Sequence, residues 1–238
     1  MLNRFVWTMG VISLAFMAVA CGGKQSKSDK PAGETATAPA NDPGKAWLRF
    51  VHAAVAGEVD VFVDDKEVLS DIGPGTFNSE RVEVVAGEHD FQLSPGHGGD
   101  AIFTTKVTFE KDSRDSVILV GKLTAVVRGE MIGAIVTKDP MDAPADGASA
   151  FRFVHAVTGG PALNVLDASG RGFGAGVEYK SVTDYVNGPA EPTEIRLQAG
   201  TENFFAGSVP FAPGWLYTVI AMPEGDGVKF TIVNERPN

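Results

Sequence analysis

The chain is almost without cysteine. Cys21 is the only one among 238 residues, so no disulfide can form within the chain and the fold must be held by burial of apolar side chains. Basic residues are also scarce, with 20 Lys and Arg against 30 Asp and Glu and a formal net charge of −10. A surface of that sign repels phosphate backbones, and no Lys/Arg patch is interleaved with aromatics, so nucleic acid is excluded as a partner. No helical period is sustained beyond the N-terminal segment. No G-x-S-x-G elbow, H-E-x-x-H helix or phosphate-binding loop occurs, so the sequence names no catalytic residue and calls for no cofactor. No paired-cysteine or close His spacing marks a zinc site, and no EF-hand spacing marks a calcium loop. The apolar run from Phe5 to Val19 falls short of the roughly 20 residues of a spanning helix.

That run has Arg4 before it and the small residues Ala18 and Ala20 after it, directly ahead of Cys21. The arrangement reads as a signal peptide over 1–20. The tetrad Ala18-Val19-Ala20-Cys21 resembles the lipobox of bacterial lipoproteins, with Ala18 where Leu is commonest. The resemblance implies cleavage before Cys21, lipidation of its thiol (palmitate among the chains) and attachment to a membrane. Gly22 follows the cysteine; in Gram-negative lipoproteins an Asp there favours the inner membrane, so its absence points to the outer membrane. Residues 22–45 carry no large apolar side chain. Such a segment cannot offset its ordering entropy, so 21–45 reads as a lipidated N-terminus and disordered tether.

The remainder contains an internal repeat. Leu48-Arg49-Phe50-Val51-His52-Ala53 recurs as Phe151-Arg152-Phe153-Val154-His155-Ala156, and Val59-Asp60-Val61 as Leu163-Asn164-Val165. Later stretches align as Val107-Thr108-Phe109 with Val209-Pro210-Phe211, Val117–Val120 with Thr218–Ala221, and Ile135–Pro140 with Ile232–Pro237. The period suits two tandem domains, 46–140 and 149–238, joined by a Pro/Gly/Asp linker at 141–148. Short runs rich in Val, Ile, Phe and Thr are bounded by Gly, Pro, Asn and Asp. In the first copy they place strands near 46–53, 58–63, 79–85, 88–94, 101–109, 115–121 and 130–137. Asp64-Asp65-Lys66 and Asp167-Ala168-Ser169-Gly170 read as equivalent hairpin turns. The expected fold class is all-β, two tandem immunoglobulin-like antiparallel β-sandwiches after the signal and tether.

The motifs Leu48–Ala53, Val59-Asp60-Val61-Phe62-Val63-Asp64 and Val84-Val85-Ala86-Gly87-Glu88-His89 resemble the domain-of-unknown-function family 4397 of bacterial envelope proteins. The second copy departs from it with Asn164 at the Asp60 position and no Ala-Gly-x-His. The resemblance implies an extracytoplasmic β-sandwich with no assigned catalytic residue.

The candidate residues follow from the repeat. His52 and His155 end a strand, with His52 on the face of Leu48 and Phe50; each reads as a semi-buried imidazole bonded to loop backbone, with a base or metal ligand as the alternative. Arg49 and Arg152 read as stems lying over a sheet with a carboxylate partner. Asp60 and Asn164 differ in charge but share a short polar reach, which suits backbone capping. Metal sets built from His89, His97, Asp100 and Asp64, or from Asp60, Asp64 and Asp65, lack ligand spacing. Trp47, Trp215 and Tyr217 offer a sugar-stacking platform if exposed. The expected function is a non-catalytic, membrane-anchored envelope lipoprotein that binds a protein or glycan partner. An enzyme or metal-binding protein using the histidine loops is the alternative.

Overall fold

The computed structural model describes residues 43–78, 80–122, 132–145 and 147–237, all within one compact unit spanning Asn41–Asn238. The signal, Cys21 and the segment to residue 42 lie outside the described residues. Among the described residues there is no helix long and apolar enough to cross a membrane.

The chain runs β1 (Lys45–His52), β2 (Val59–Val63), β3 (Lys66–Ile72), β4 (Val82–Val85), β5 (Gly87–Pro95), β6 (Phe103–Phe109), β7 (Arg114–Val120) and β8 (Gly133–Lys138). The pattern then repeats as β9 (Ser149–His155), β10 (Leu163–Asp167), β11 (Gly172–Val177), β12 (Val186–Gly188), β13 (Thr193–Ala199), β14 (Glu202–Val209), β15 (Leu216–Glu224) and β16 (Gly227–Glu235). The first copy pairs sheet β4-β1-β7-β8 with sheet β3-β2-β5-β6, and the second pairs β12-β9-β15-β16 with β11-β10-β13-β14. The architecture is all-β, in two sandwich units. Among the named strands pairing is antiparallel, as expected, except for β1 with β7 and β9 with β15, which run parallel where the sequence predicts antiparallel sandwiches.

Three details differ from the sequence reading. Lys45 opens β1 instead of closing the tether. The first copy has an additional strand, β3, whose sequence KEVLSDI is half-buried or exposed throughout; an edge strand facing water shows no apolar alternation. The repeat also shifts register near its end. Phe50 pairs with Val117 and Phe153 with Val219, so Val117–Val120 corresponds to Val219–Met222, one residue later than sequence likeness suggests. The last strands move with it: Ser116 pairs with Thr137 and Thr218 with Val233, which makes Asp139 the counterpart of Glu235. Consecutive apolar residues leave a one-residue slip invisible, although it exchanges the two faces of a strand.

Alternation builds each sandwich core. Leu48 and Phe50 of β1 and Val117 and Leu119 of β7 meet Val59, Val61, Phe91, Leu93, Val107 and Phe109 of the facing sheet. Phe151, Phe153, Val219 and Ala221 meet Leu163, Val165, Ile195, Leu197 and Val209 in the second copy. The outer sheets turn their other face to water. There Lys106 bridges Glu88 at 2.9 Å and Asp90 at 3.5 Å across β5 and β6. The inner sheets do not face water. Val51, Ala53, Ile118 and Val120 of the first sandwich pack against Val154, Ala156, Ile220, Met222 and Val233 of the second in a third core. Strands β1 and β9 are thus buried on both faces, which accounts for their near-continuous apolar sequence and for the parallel pairs at their sides.

Candidate functional site

The interface face of β1 carries Trp47, Arg49 and Val51, and that of β9 carries Arg152 and Val154. Where the third core ends, these arginines meet the ends of β8 and β16 from the opposite copy. Arg49 donates from Nη1 to Glu235 Oε2 at 3.1 Å. Its counterpart Arg152 donates from Nη2 to Asp139 Oδ1. Because Asp139 and Glu235 are themselves counterparts, the two ion pairs are reciprocal, the pattern of a self-complementary two-fold interface. The carboxylate partner of each arginine therefore comes from the other sandwich.

Arg81 joins the two pairs. Its Nη2 lies 2.6 Å from both Asp139 Oδ2 and Glu235 Oε2, and Arg114 Nη1 adds a third guanidinium to Glu235 at 2.9 Å. Burial opposes the Glu235 charge, but the Arg81 hydrogen bond and the charges of Arg81, Arg49 and Arg114 outweigh it and hold the carboxyl below its usual range. Burial lowers the Arg49 pKa and the neighbouring Arg81 charge lowers it further. For Arg81 burial also acts downward, but the bonds to Glu235 and Asp139 prevail and raise it. Both guanidiniums stay charged at neutral pH.

The two halves of the junction differ. Arg152 is 2% exposed and well supplied with acceptors: Thr218 Oγ1 at 3.0 Å, Thr137 Oγ1 at 2.6 Å and the Lys138 carbonyl at 2.9 Å, besides Asp139. The Tyr185 ring covers it, 4.8 Å from centroid to guanidinium carbon. Val82 pairs with Leu48 and Val186 with Phe151, so Arg81 is the counterpart of Tyr185. On the Arg49 side no ring among the described residues lies over the guanidinium. A cleft of about 610 Å³ opens there, lined by Trp47, Arg49, Glu80, Arg81, Arg114 and Met141 from the first copy and linker and by Trp215, Asn234, Glu235 and Arg236 from the second.

The other candidates sit elsewhere and are occupied structurally. His52 is fully buried. Its Nε2 lies 3.0 Å from the Gly57 carbonyl, which must accept, so Nε2 carries the proton. His155 does the same to the Pro161 carbonyl at 2.9 Å, and its Nδ1 accepts the Val157 N–H at 3.2 Å. Burial lowers both imidazole pKa values. Each ring fixes the turn after the first strand and leaves no solvent-facing nitrogen for chemistry. Asp60 Oδ1 accepts the Asp71 N–H and Asn164 Oδ1 accepts the Gly176 N–H, both at 2.9 Å, beside irregular registers in β2–β3 and β10–β11. A carboxylate and an amide do this equally well.

The metal sets read from the sequence do not assemble. His89 bridges Asp64 Oδ2 at 2.6 Å and the Val85 carbonyl at 2.7 Å, tying the β2–β3 turn to the β4–β5 turn, where Gly87 has φ 141°. The β2–β3 turn has Asp64 and Asp65 at φ 49° and 61°, the left-handed pair of a two-residue hairpin. His97 stands at the far end of β5 with Asp71 at 3.1 Å and Glu58 at 3.5 Å, all exposed. Of the proposed stacking residues, Tyr217 is in the second core, 2% exposed, and donates to the Pro210 carbonyl; Trp47 and Trp215 line the cleft. The cleft residues Arg81, Arg114 and Glu235 carry no sequence signal of their own. The visible hint was the pair of unbroken apolar runs, Val117–Val120 and Thr218–Met222, which require burial on both faces.

A family model described as a domain of unknown function, DUF4397, matches residues 46–166 and again 151–238. The chain belongs to this family. The reciprocal junction is therefore made by two DUF4397 copies within one polypeptide. No curated protein matches the chain. Among solved structures, a family 26 carbohydrate-binding module of Eubacterium rectale Amy13K, in complex with maltoheptaose, aligns over 82% of this chain and 98% of that one, at 8% identity and a TM-score of 0.27. That superposition is too loose to bear on the fold or the ligand of this chain.

Proposed function

We propose that this protein is a non-catalytic envelope lipoprotein, anchored through Cys21 to the outer membrane, whose paired DUF4397 domains act as one binding module with its ligand site in the cleft between them. The observation that carries the reading is the cleft itself. Its volume of about 610 Å³ falls within the roughly 300–1,000 Å³ typical of ligand sites, and such sites favour the junctions of domains. Both copies contribute walls, so neither domain alone forms it. The buried histidines and the saturated Asp139 are committed to structure, which supports binding over catalysis. A glycan or protein of the envelope is the ligand class.

The test has two parts. Cys21→Ala should move the protein out of the detergent phase; unchanged partitioning would sink the anchor. A photo-crosslinking residue in place of Met141, which is 52% exposed at the cleft, should capture a defined partner in intact envelopes, and capture indistinguishable from a probe on the outer sheets would remove the cleft from consideration. The metal-binding alternative has one observation in its favour, the ligand atoms of Glu58, Asp71 and His97 within 4.8 Å of one another. Zinc calorimetry with His97→Ala as control decides it.

A further inference from the structure

The lining of the cleft carries a charge that the rest of the chain opposes. Four arginines, Arg49, Arg81, Arg114 and Arg236, face two glutamates, Glu80 and Glu235, in a protein of formal net charge −10. Glu235 is shared by three guanidiniums; Arg81 also reaches Asp139 and the Trp47 and Asp115 carbonyls, yet the Nε atoms of Arg49 and Arg81 are buried with no partner among the described residues. These guanidiniums thus keep donors without acceptors. A buried excess of cations is costly unless an anion completes it, and the planar guanidinium fork matches carboxylate and phosphate oxygens. Two groups are placed to reach a ligand: Arg114, whose side chain is 22% exposed, and Arg236, exposed at the rim with no ion pair among the described residues. An indole from each sandwich, Trp47 and Trp215, flanks them, both half-buried. Such rings offer a large apolar face and a negative π surface suited to the C–H face of a sugar. The volume holds a small ligand, whereas a protein interface requires on the order of 1,000 Å².

Building on the cleft reading above, we propose that the site takes an acidic saccharide, its carboxylate or phosphate held by Arg114 and Arg236 and its ring against Trp47 and Trp215. The sealed half of the junction cannot do this, because Tyr185 occupies the place that Arg81 leaves open.

The experiment titrates the purified lipidated protein, without residues 1–20, in detergent with trigalacturonic acid, glucose 6-phosphate and, as the uncharged control, maltotriose. Once the signal segment with Trp7 is removed, the remaining tryptophans are Trp47 and Trp215, so their emission reports on the cleft directly. The expected result is saturable binding of trigalacturonic acid or glucose 6-phosphate, weakened by salt, with maltotriose inert; which anionic probe binds more tightly identifies carboxylate or phosphate as the recognised group. Arg236→Gln, at an exposed position with no hydrogen bond or ion pair among the described residues, should weaken binding about tenfold, as expected for one charged hydrogen bond. Arg114→Gln should do at least as much, and Trp47→Ala should weaken binding without removing its salt dependence. Equal binding of maltotriose, an Arg236→Gln protein that binds like the parent, or no binding of either anion would overturn the proposal. In each of those cases the Met141 crosslink separates the two claims: a neutral glycan or protein captured there leaves the cleft as a binding site and discards only the acidic ligand, while no capture discards both.

Discussion

Arg49 and Arg152 occupy the same place in two copies of one fold, and their surroundings are opposite. Arg152 is enclosed by Thr218, Thr137, the Lys138 carbonyl and Asp139, under the ring of Tyr185. Arg49 reaches Glu235, lies beside the like charge of Arg81 and borders a cleft. The backbone frame is shared, down to the parallel central strands. The position just ahead of the short edge strand, Tyr185 in one copy and Arg81 in the other, is one of several that separate the sealed ion pair from the open cationic site, together with Trp47 against Ala150 and Arg114 against Leu216. Duplication supplied two equivalent junction halves; side-chain divergence left one as a structural lock and the other accessible.

The largest effect that can break this comparison comes from the two counterpart carboxylates. Asp139→Ala strands Arg152 at 2% exposure and also removes partners of Arg81 and Ser116, and should cost about 3–5 kcal/mol in chemical denaturation. Glu235→Ala removes a carboxylate that is 17% exposed, where water replaces part of the lost interaction, and should cost about 1–3 kcal/mol. Equal losses would mean that the halves are energetically alike and that the sealing by Tyr185 has no consequence.

Next is the apolar part of the junction, where the copies should agree. Ile118 and Ile220 are counterparts, both fully buried in the shared core. Ile118→Ala and Ile220→Ala should each cost roughly 2–4 kcal/mol, within the range for emptying a buried aliphatic site. The melt should stay a single transition, because each cavity lies in a core belonging to both sandwiches. Two resolved transitions in the parent protein would show that the sandwiches unfold separately and that the third core is weak.

The smallest effect is with pH. Burial lowers the His52 and His155 pKa values from the ordinary 6.5, so below that pH the unfolded chain binds protons that the folded chain refuses. Stability from these groups is fully present above about pH 6.5 and is lost as the pH falls toward the folded values. Glu235, held below its usual range, acts in the same direction lower on the scale, below the ordinary carboxylate pKa. A pair of denaturation series between pH 5 and 7.5, on the parent and on His52→Gln, should show a shallower slope in the variant. Parallel slopes would remove His52 as the source.

Much of the fold was legible in the sequence because local chemistry determines it. The alternation in Val59-Asp60-Val61 places a strand with one face inward, and Asp64-Asp65 supplies residues that tolerate the left-handed conformation of a two-residue turn. The hexapeptide repeat identified the duplication. The β3 strand escaped because both its faces meet water or half-cover, so polar side chains carry no period to read. The register of β15 and β16 escaped because a run such as Thr218-Val219-Ile220-Ala221-Met222 is apolar on both faces and fits either alignment. The capping roles open to His52, His155, Asp60 and Asn164 could be read from residue type and position. The cleft could not, because its walls come from residues as far apart as Trp47 and Arg236.

The sequence by itself determined two β-sandwiches of one family, held without a disulfide, since strand periodicity, turn chemistry and the repeat are properties of neighbouring residues. Only the tertiary structure decided that the sandwiches share a third core, that each arginine of the repeated motif pairs with a carboxylate of the other copy, and that one end of the junction stays open. Those outcomes depend on which faces of β1 and β9 meet and in what register, and that is set by packing between residues more than a hundred positions apart.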